Sequence, residues 1–98
     1  MNLVLIICHS DKNAIVEPCQ REVIYKETKD SIEIFDKGVP ANVIFSGKIQ
    51  QVFPEKNNYD LLAEDNVPYK LFKSESSIKL IRMDNSYDGK PYVWIFDK

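Results

Sequence analysis

From Gln20 onward the chain alternates apolar and polar residues with a period of two, and this alternation limits its fold more than any other feature. Successive side chains on a strand point to opposite faces, so a period of two buries one face and wets the other, whereas a helix needs a period near 3.6. Val23 and Tyr25 lie on one face and Glu22, Ile24 and Lys26 on the other. After the polar connection Thr28-Lys29-Asp30, Ile32 and Ile34 alternate with Ser31, Glu33 and Phe35 until Asp36-Lys37-Gly38, which predicts a hairpin. The longest alternating run is Val43 to Phe53, with Val43, Phe45, Ile49 and Phe53 on the apolar side and Ser46, Lys48 and Gln50 opposite. Gly47 interrupts the apolar side, which predicts a bulge, a bend or a close approach of another backbone. Pro54 ends the run, since proline has no N–H for a ladder.

The stretch from Glu55 to Pro68 reads two ways. Asn57-Asn58 can cap one helical turn over Tyr59 to Glu64, or Tyr59 to Ala63 forms a short strand, and the strand is preferred. Tyr69 to Lys73 and Ser77 to Met83 form a further hairpin around Ser74-Glu75-Ser76, with Tyr69, Leu71, Ile78 and Leu80 inward. Asp84 to Gly89 ends in an Asp-Gly turn signal and leads into the final strand, Tyr92 to Phe96.

The opening run Leu3 to Cys8 has no period, but its β-branched residues favour a buried strand. It lacks the basic flank and cleavage site of an export signal, and it is far shorter than the ~20 residues of a membrane span. The expectation is therefore a cytoplasmic protein with no membrane association. Ala14-Ile15-Val16 is read as a brief extended piece that Pro18 stops. Together these features predict an all-β chain: a small antiparallel meander barrel or roll of about six to eight strands, with a two-sheet sandwich as the alternative. Residues 1–98 form a single domain, because so short a chain supports one core and contains no linker, repeat or low-complexity tract.

Several function classes are disfavoured. Lys and Arg number 13 against 15 Asp and Glu, the net charge is −2, and only Arg21 and Arg82 carry a guanidinium, so no nucleic-acid partner is expected. The glycines are Gly38, Gly47 and Gly89, none placed to form a phosphate loop after the first strand. Cys8, His9 and Cys19, even with Asp11, do not have the paired spacing of a zinc site, and a Cys8–Cys19 disulfide would require an exported protein. His9, Ser10 and Asp11 are triad residue types, but adjacent side chains diverge where a triad must converge. Glu64-Asp65 and Asp84 with Asp88 sit in expected turns, where short polar side chains bond local backbone. No catalytic residue, metal or cofactor is assigned.

The aromatic residues are the more usable signal. Tyr92, Trp94 and Phe96 share one face of the final strand, whose other face carries Val93 and Ile95. Such a strand needs cover on both sides, by Met1 to Cys8, by a short helix, or by another chain, self-association included. Tyr69, Phe72, Tyr92, Trp94 and Phe96 are accordingly the candidate partner- or ligand-contact residues. The sequence favours a non-enzymatic binding or regulatory module, inhibitory on a basic target in one form, acting through a protein–protein surface of aromatic residues and a sheet edge. The alternative is a small-molecule carrier with Phe45, Tyr69, Leu71, Leu80 and Trp94 lining a barrel. An enzyme ranks last, given one histidine and no phosphate loop.

Overall fold

The computed structural model describes residues 1–9, 16–39, 41–84 and 93–98, with the side chains of 1–6, 19–39, 41–84 and 93–98. Eight strands lie within them: β1 Asn2–His9, β2 Val16–Glu27, β3 Ser31–Asp36, β4 Val43–Phe53, β5 Asn58–Ala63, β6 Pro68–Lys73, β7 Ser77–Arg82 and β8 Val93–Asp97. Each pairs antiparallel with the next in sequence, and β8 returns to pair with β1, so the sheet is a closed up-and-down barrel and the two-sheet sandwich does not apply. Register shifts between Leu5 and Ile7, Ile34 and Phe35, and Ile49 and Gln51 bend the staves sharply enough to close a barrel this narrow.

The interior is built from the inward parity of each strand. Leu3 and Leu5, Val23 and Tyr25, Ile32 and Ile34, Phe45, Leu61, Leu71, Ile78 and Leu80, and Phe96 are all buried in one cluster. Directly opposed residues share a face, so the registers Leu5 to Phe96, Phe96 to Ile78, Leu71 to Leu80 and Ile34 to Phe45 stack these side chains into continuous layers.

Four expectations are refined. Met1 to Cys8 does not lie over a second face; β1 is a stave, hydrogen-bonded along both edges to β2 and β8. Pro18 does not stop the second strand: β2 runs through it, and Pro18 faces Ile7 beside the register shift in β1, where a missing N–H is tolerated. Gly47 marks neither bulge nor bend but a close approach, since a Cβ there would stand 2.7 Å from Phe45 Cζ and 2.9 Å from the Leu62 carbonyl oxygen. Val43, expected on the apolar side with Phe45, is 49 % exposed, because the register shift places it opposite the outward Phe35.

Between β4 and β5 the chain makes a single 3-10 turn at Pro54–Lys56, which Asn57 closes in the left-handed region at φ 51°. Asparagine tolerates that conformation better than most side chains. The outward apolar residues Ile24, Phe35, Phe72, Ile81, Val93 and Ile95 are half-buried, while Ile44, the extra residue at the register shift, packs against the core. Long polar neighbours supply part of the cover, as where Lys26 Nζ lies 5.4 Å from the Phe35 ring centroid. The Asp84 to Gly89 connection lies outside the described residues beyond Asp84.

Candidate functional site

The two ends of the barrel are finished differently. At one end the inward parity of β2, β5 and β6 runs out on Glu27, Tyr59 and Lys73 instead of on apolar residues. Tyr25 Oη donates to Glu27 Oε1 at 2.6 Å, Tyr59 Oη to Glu27 Oε2 at 3.1 Å, and Lys73 Nζ to Glu27 Oε1 at 2.6 Å and to Tyr59 Oη at 2.9 Å. The same ammonium sits 4.7 Å from the Tyr59 ring centroid and 5.6 Å from that of Tyr25. Burial alone would raise the Glu27 carboxyl, but the hydrogen bonds from Lys73, Tyr25 and Tyr59 and the Lys73 charge outweigh it and hold Glu27 below the usual carboxylate range. Burial likewise opposes the Lys73 charge, yet Glu27 and Tyr59 hold its ammonium above the ordinary lysine value. Burial, with Glu27 alongside, pushes the Tyr25 hydroxyl far up. Each group's charge or proton is already claimed by a neighbour, so the cluster is a polar plug that seals this end.

The plug has a pH signature whose sign follows from these directions. Glu27 is depressed in the folded state, so its contribution is complete above the unfolded carboxylate pKa and is lost as pH falls through the folded value. Lys73 is raised, so its contribution is complete below the unfolded lysine pKa and is lost as pH rises through the folded one. Glu27→Gln is expected to cost about 1 kcal/mol at neutral pH, the scale of a partly screened charge-assisted network, and to flatten the loss of stability below about pH 4. Urea midpoints of both proteins across pH 2 to 7 check this; parallel curves would assign the acid sensitivity elsewhere.

The opposite end is aromatic among the described residues. Phe45 meets Tyr69 edge-on at 4.8 Å between ring centroids, and Tyr69 lies 6.1 Å from Trp94. Arg82, facing Tyr69 across β6 and β7, donates from Nη2 to Asp84 Oδ2 at 2.7 Å. Burial raises the Tyr69 hydroxyl above its ordinary value, with Arg82 opposing. Beside these rings a cleft of about 360 Å³ opens, lined by Val43, Phe45, Ala63, Asp65 and Tyr69 among others. A second cleft of about 320 Å³ lies on the outer side of the same corner, against Ser46, Lys48, Leu62 and Glu64. Asp65 Oδ1 accepts the Val67 N–H at 3.1 Å and fixes the β5–β6 turn between the clefts.

Of the residues singled out from sequence, this mouth gathers Tyr69 and Trp94. Phe96 is fully buried between Leu5 and Ile78 and packs the core rather than meeting a partner. Phe72 points outward from β6, opposite Asn58 and Lys79, away from the mouth. Tyr92 lies outside the described residues, as do the side chains of Cys8 and His9. Cys19 is half-buried, its Sγ 4.0 Å from the Leu5 carbonyl oxygen. Among the described residues no three His, Cys, Asp or Glu side chains converge as a metal site would need, and no helix is long and apolar enough to cross a membrane. Comparison with protein-family models, curated proteins and solved structures found no match.

Proposed function

We propose that this chain is a non-catalytic protein-binding module whose contact surface is the end of the barrel around Tyr69 and Trp94. The observation that carries this reading is that, among the described residues, a cleft lies beside the half-buried Tyr69 ring at this end while the barrel axis is filled by side chains. Leu71 and Leu80, two residues a carrier would turn toward its ligand, are 0 % and 1 % exposed, and Gly47 has no room for even a methyl group. The filled axis favours a surface over a carrier. Half-buried Tyr69 and Trp94 beside a concave, polar-rimmed corner have the composition of an interface centre. The exposed Glu64 and Asp65 suit a basic partner, so inhibition of a basic target is the finer form of the proposal. A cytoplasmic setting belongs to the same proposal, supported by Leu3 and Leu5 of the opening apolar run being core residues of the barrel.

Site-specific photo-crosslinking tests it. A crosslinker at Val43, exposed on the mouth, is expected to trap a discrete protein partner in cells, and one at Glu55, exposed on the far side, is not. No adduct at Val43, or the same adduct from both positions, would remove the mouth as the contact surface.

A further inference from the structure

The barrel repeats itself. β6 and β7 pair in the register of β2 and β3: Tyr69 with Arg82, Leu71 with Leu80 and Lys73 with Ile78 stand where Val23 with Asp36, Tyr25 with Ile34 and Glu27 with Ile32 stand. The turns match bond for bond. The Thr28 N–H donates to the Ser31 carbonyl and the Ser74 N–H to the Ser77 carbonyl, both at 2.9 Å, and the Thr28 and Ser74 hydroxyls each accept the amide of the serine three residues on. β8 then meets β7 as β4 meets β3, with Phe96 opposite Ile78 for Gly47 opposite Ile32, and Trp94 opposite Leu80 for Phe45 opposite Ile34. The seams complete the match, since Phe96 faces Leu5 across β8 and β1 as Gly47 faces Ala63 across β4 and β5. The spacing between equivalent residues changes from strand to strand, so no fixed period marks the repeat in the sequence.

In a closed ring of eight antiparallel staves, the stave four places on lies diametrically opposite and runs the same way. β1–β4 and β5–β8 are therefore related by a half-turn about the barrel axis. Equivalent inward side chains approach one another across that axis, which is why Glu27 and Lys73 meet there, Oε1 to Nζ at 2.6 Å.

The halves are alike in backbone and opposite in what they carry. Glu27, Glu33 and Lys48 are answered by Lys73, Lys79 and Asp97 at the equivalent places. Volume is inverted as well, Gly47 by Phe96 and Leu5 by Ala63. Two first halves joined together would set Glu27 against Glu27 and bring no Phe96 to the level of Gly47; two second halves would set Lys73 against Lys73 and crowd in two Phe96 rings. Each half fits the other and not itself. The chain passes between them at residues 54–57, where Asn57 is held in the left-handed region at φ 51°.

We propose that the barrel is a pseudo-dimer within one chain, β1–β4 with β5–β8, whose halves select each other through Glu27 and Lys73 on the axis, and that a second copy of the chain can supply the matching half by exchange at residues 54–57. An exchanged dimer keeps every strand pairing and requires no new interface, and a short connection with a constrained backbone favours such opening.

Four full-length proteins test it: the natural chain, Glu27→Lys, Lys73→Glu and the two changes together. Each single change sets like charges on the axis and should lower the urea midpoint, while the double change restores an ion pair between equivalent positions and should recover more than half of the summed loss. The two single variants, one of them isotopically labelled, are then unfolded, mixed and refolded at high concentration. Exchange between them builds one barrel with the natural pair and one with the reversed pair, so native mass spectrometry should find a dimer of one chain of each in excess over either homodimer. This arm holds even where a single variant does not fold by itself, because the mixture restores both pairs. Only monomers or aggregate, or the three dimers in statistical proportion, would overturn exchange by charge selection. A double variant no more stable than the single ones would overturn the equivalence of the two positions.

Discussion

Phe96→Ala is expected to cost about 3–5 kcal/mol, enough to unfold much of a domain whose whole stability is of the order of 5–15 kcal/mol. Phe96 is fully buried on β8 and is opposed by Leu5 on β1 and Ile78 on β7, so its ring fills the layer that spans the closing seam. Truncation leaves a void that neither neighbour can fill, because both staves are tied to further strands. The loss should also be localised. β8 is five residues long and closes the barrel onto the first strand, so amide exchange should accelerate in β1 and β8 before it does in β4 and β5. Chemical denaturation gives the magnitude and hydrogen exchange gives the place. Phe96→Leu, which keeps most of the volume, should cost clearly less. Equal losses for the two variants would mean that ring volume at the seam is not what matters.

The seam also shows where sequence reasoning stops. Val23 with Tyr25, Ile32 with Ile34, and Ile78 with Leu80 alternate cleanly with polar residues, so their inward placement could be read directly from the chain, along with β4 from Val43 to Phe53 and its end at Pro54. Leu3 to Cys8 is apolar throughout and carries no period, and its partner strand β8 lies at the other end of the chain. Pairing of that kind is set by the accumulated stagger and bulges of six intervening staves, and no local pattern records them. Nor does the sequence reveal that Lys26 folds over the outward Phe35 ring.

The candidate sites divide the same way. Tyr69 and Trp94 could be recognised as inward aromatics, but Phe96 reads identically and is core; what separates them is distance from the rim, which depends on closure. The plug left a faint signal: Glu27 and Lys73 continue the inward parity of their strands, and a charge in that position calls for a partner. The partner itself is 46 residues away in sequence, with nothing local to indicate it.

Gly47→Ala is expected to destabilise the barrel by about 1–3 kcal/mol, the usual cost of forcing an extra carbon into a filled core. The added Cβ would meet Phe45 Cζ at 2.7 Å and the Leu62 carbonyl oxygen at 2.9 Å, and no real Cβ is tolerated at either distance. The two contacts differ in kind. The ring can swing, whereas the Leu62 carbonyl belongs to the β4–β5 ladder and can move only with its strand. Phe45→Leu in the Gly47→Ala background should therefore recover part of the loss but not all of it, giving a double-mutant cycle with a coupling of about 0.5–3 kcal/mol, measured from denaturation midpoints. A strictly additive pair would mean that Leu62, not the ring, sets the penalty. The same displacement reaches the mouth. At present the absence of a side chain at Gly47 lets the Phe45 ring lie along the strand, and the cleft above it stays open toward Tyr69. An alanine would push the ring outward into that cleft, so Gly47→Ala should weaken capture of an apolar partner residue even where the protein remains folded. A variant that lost stability but bound mouth-directed peptides normally would separate the glycine's packing role from the shape of the cleft.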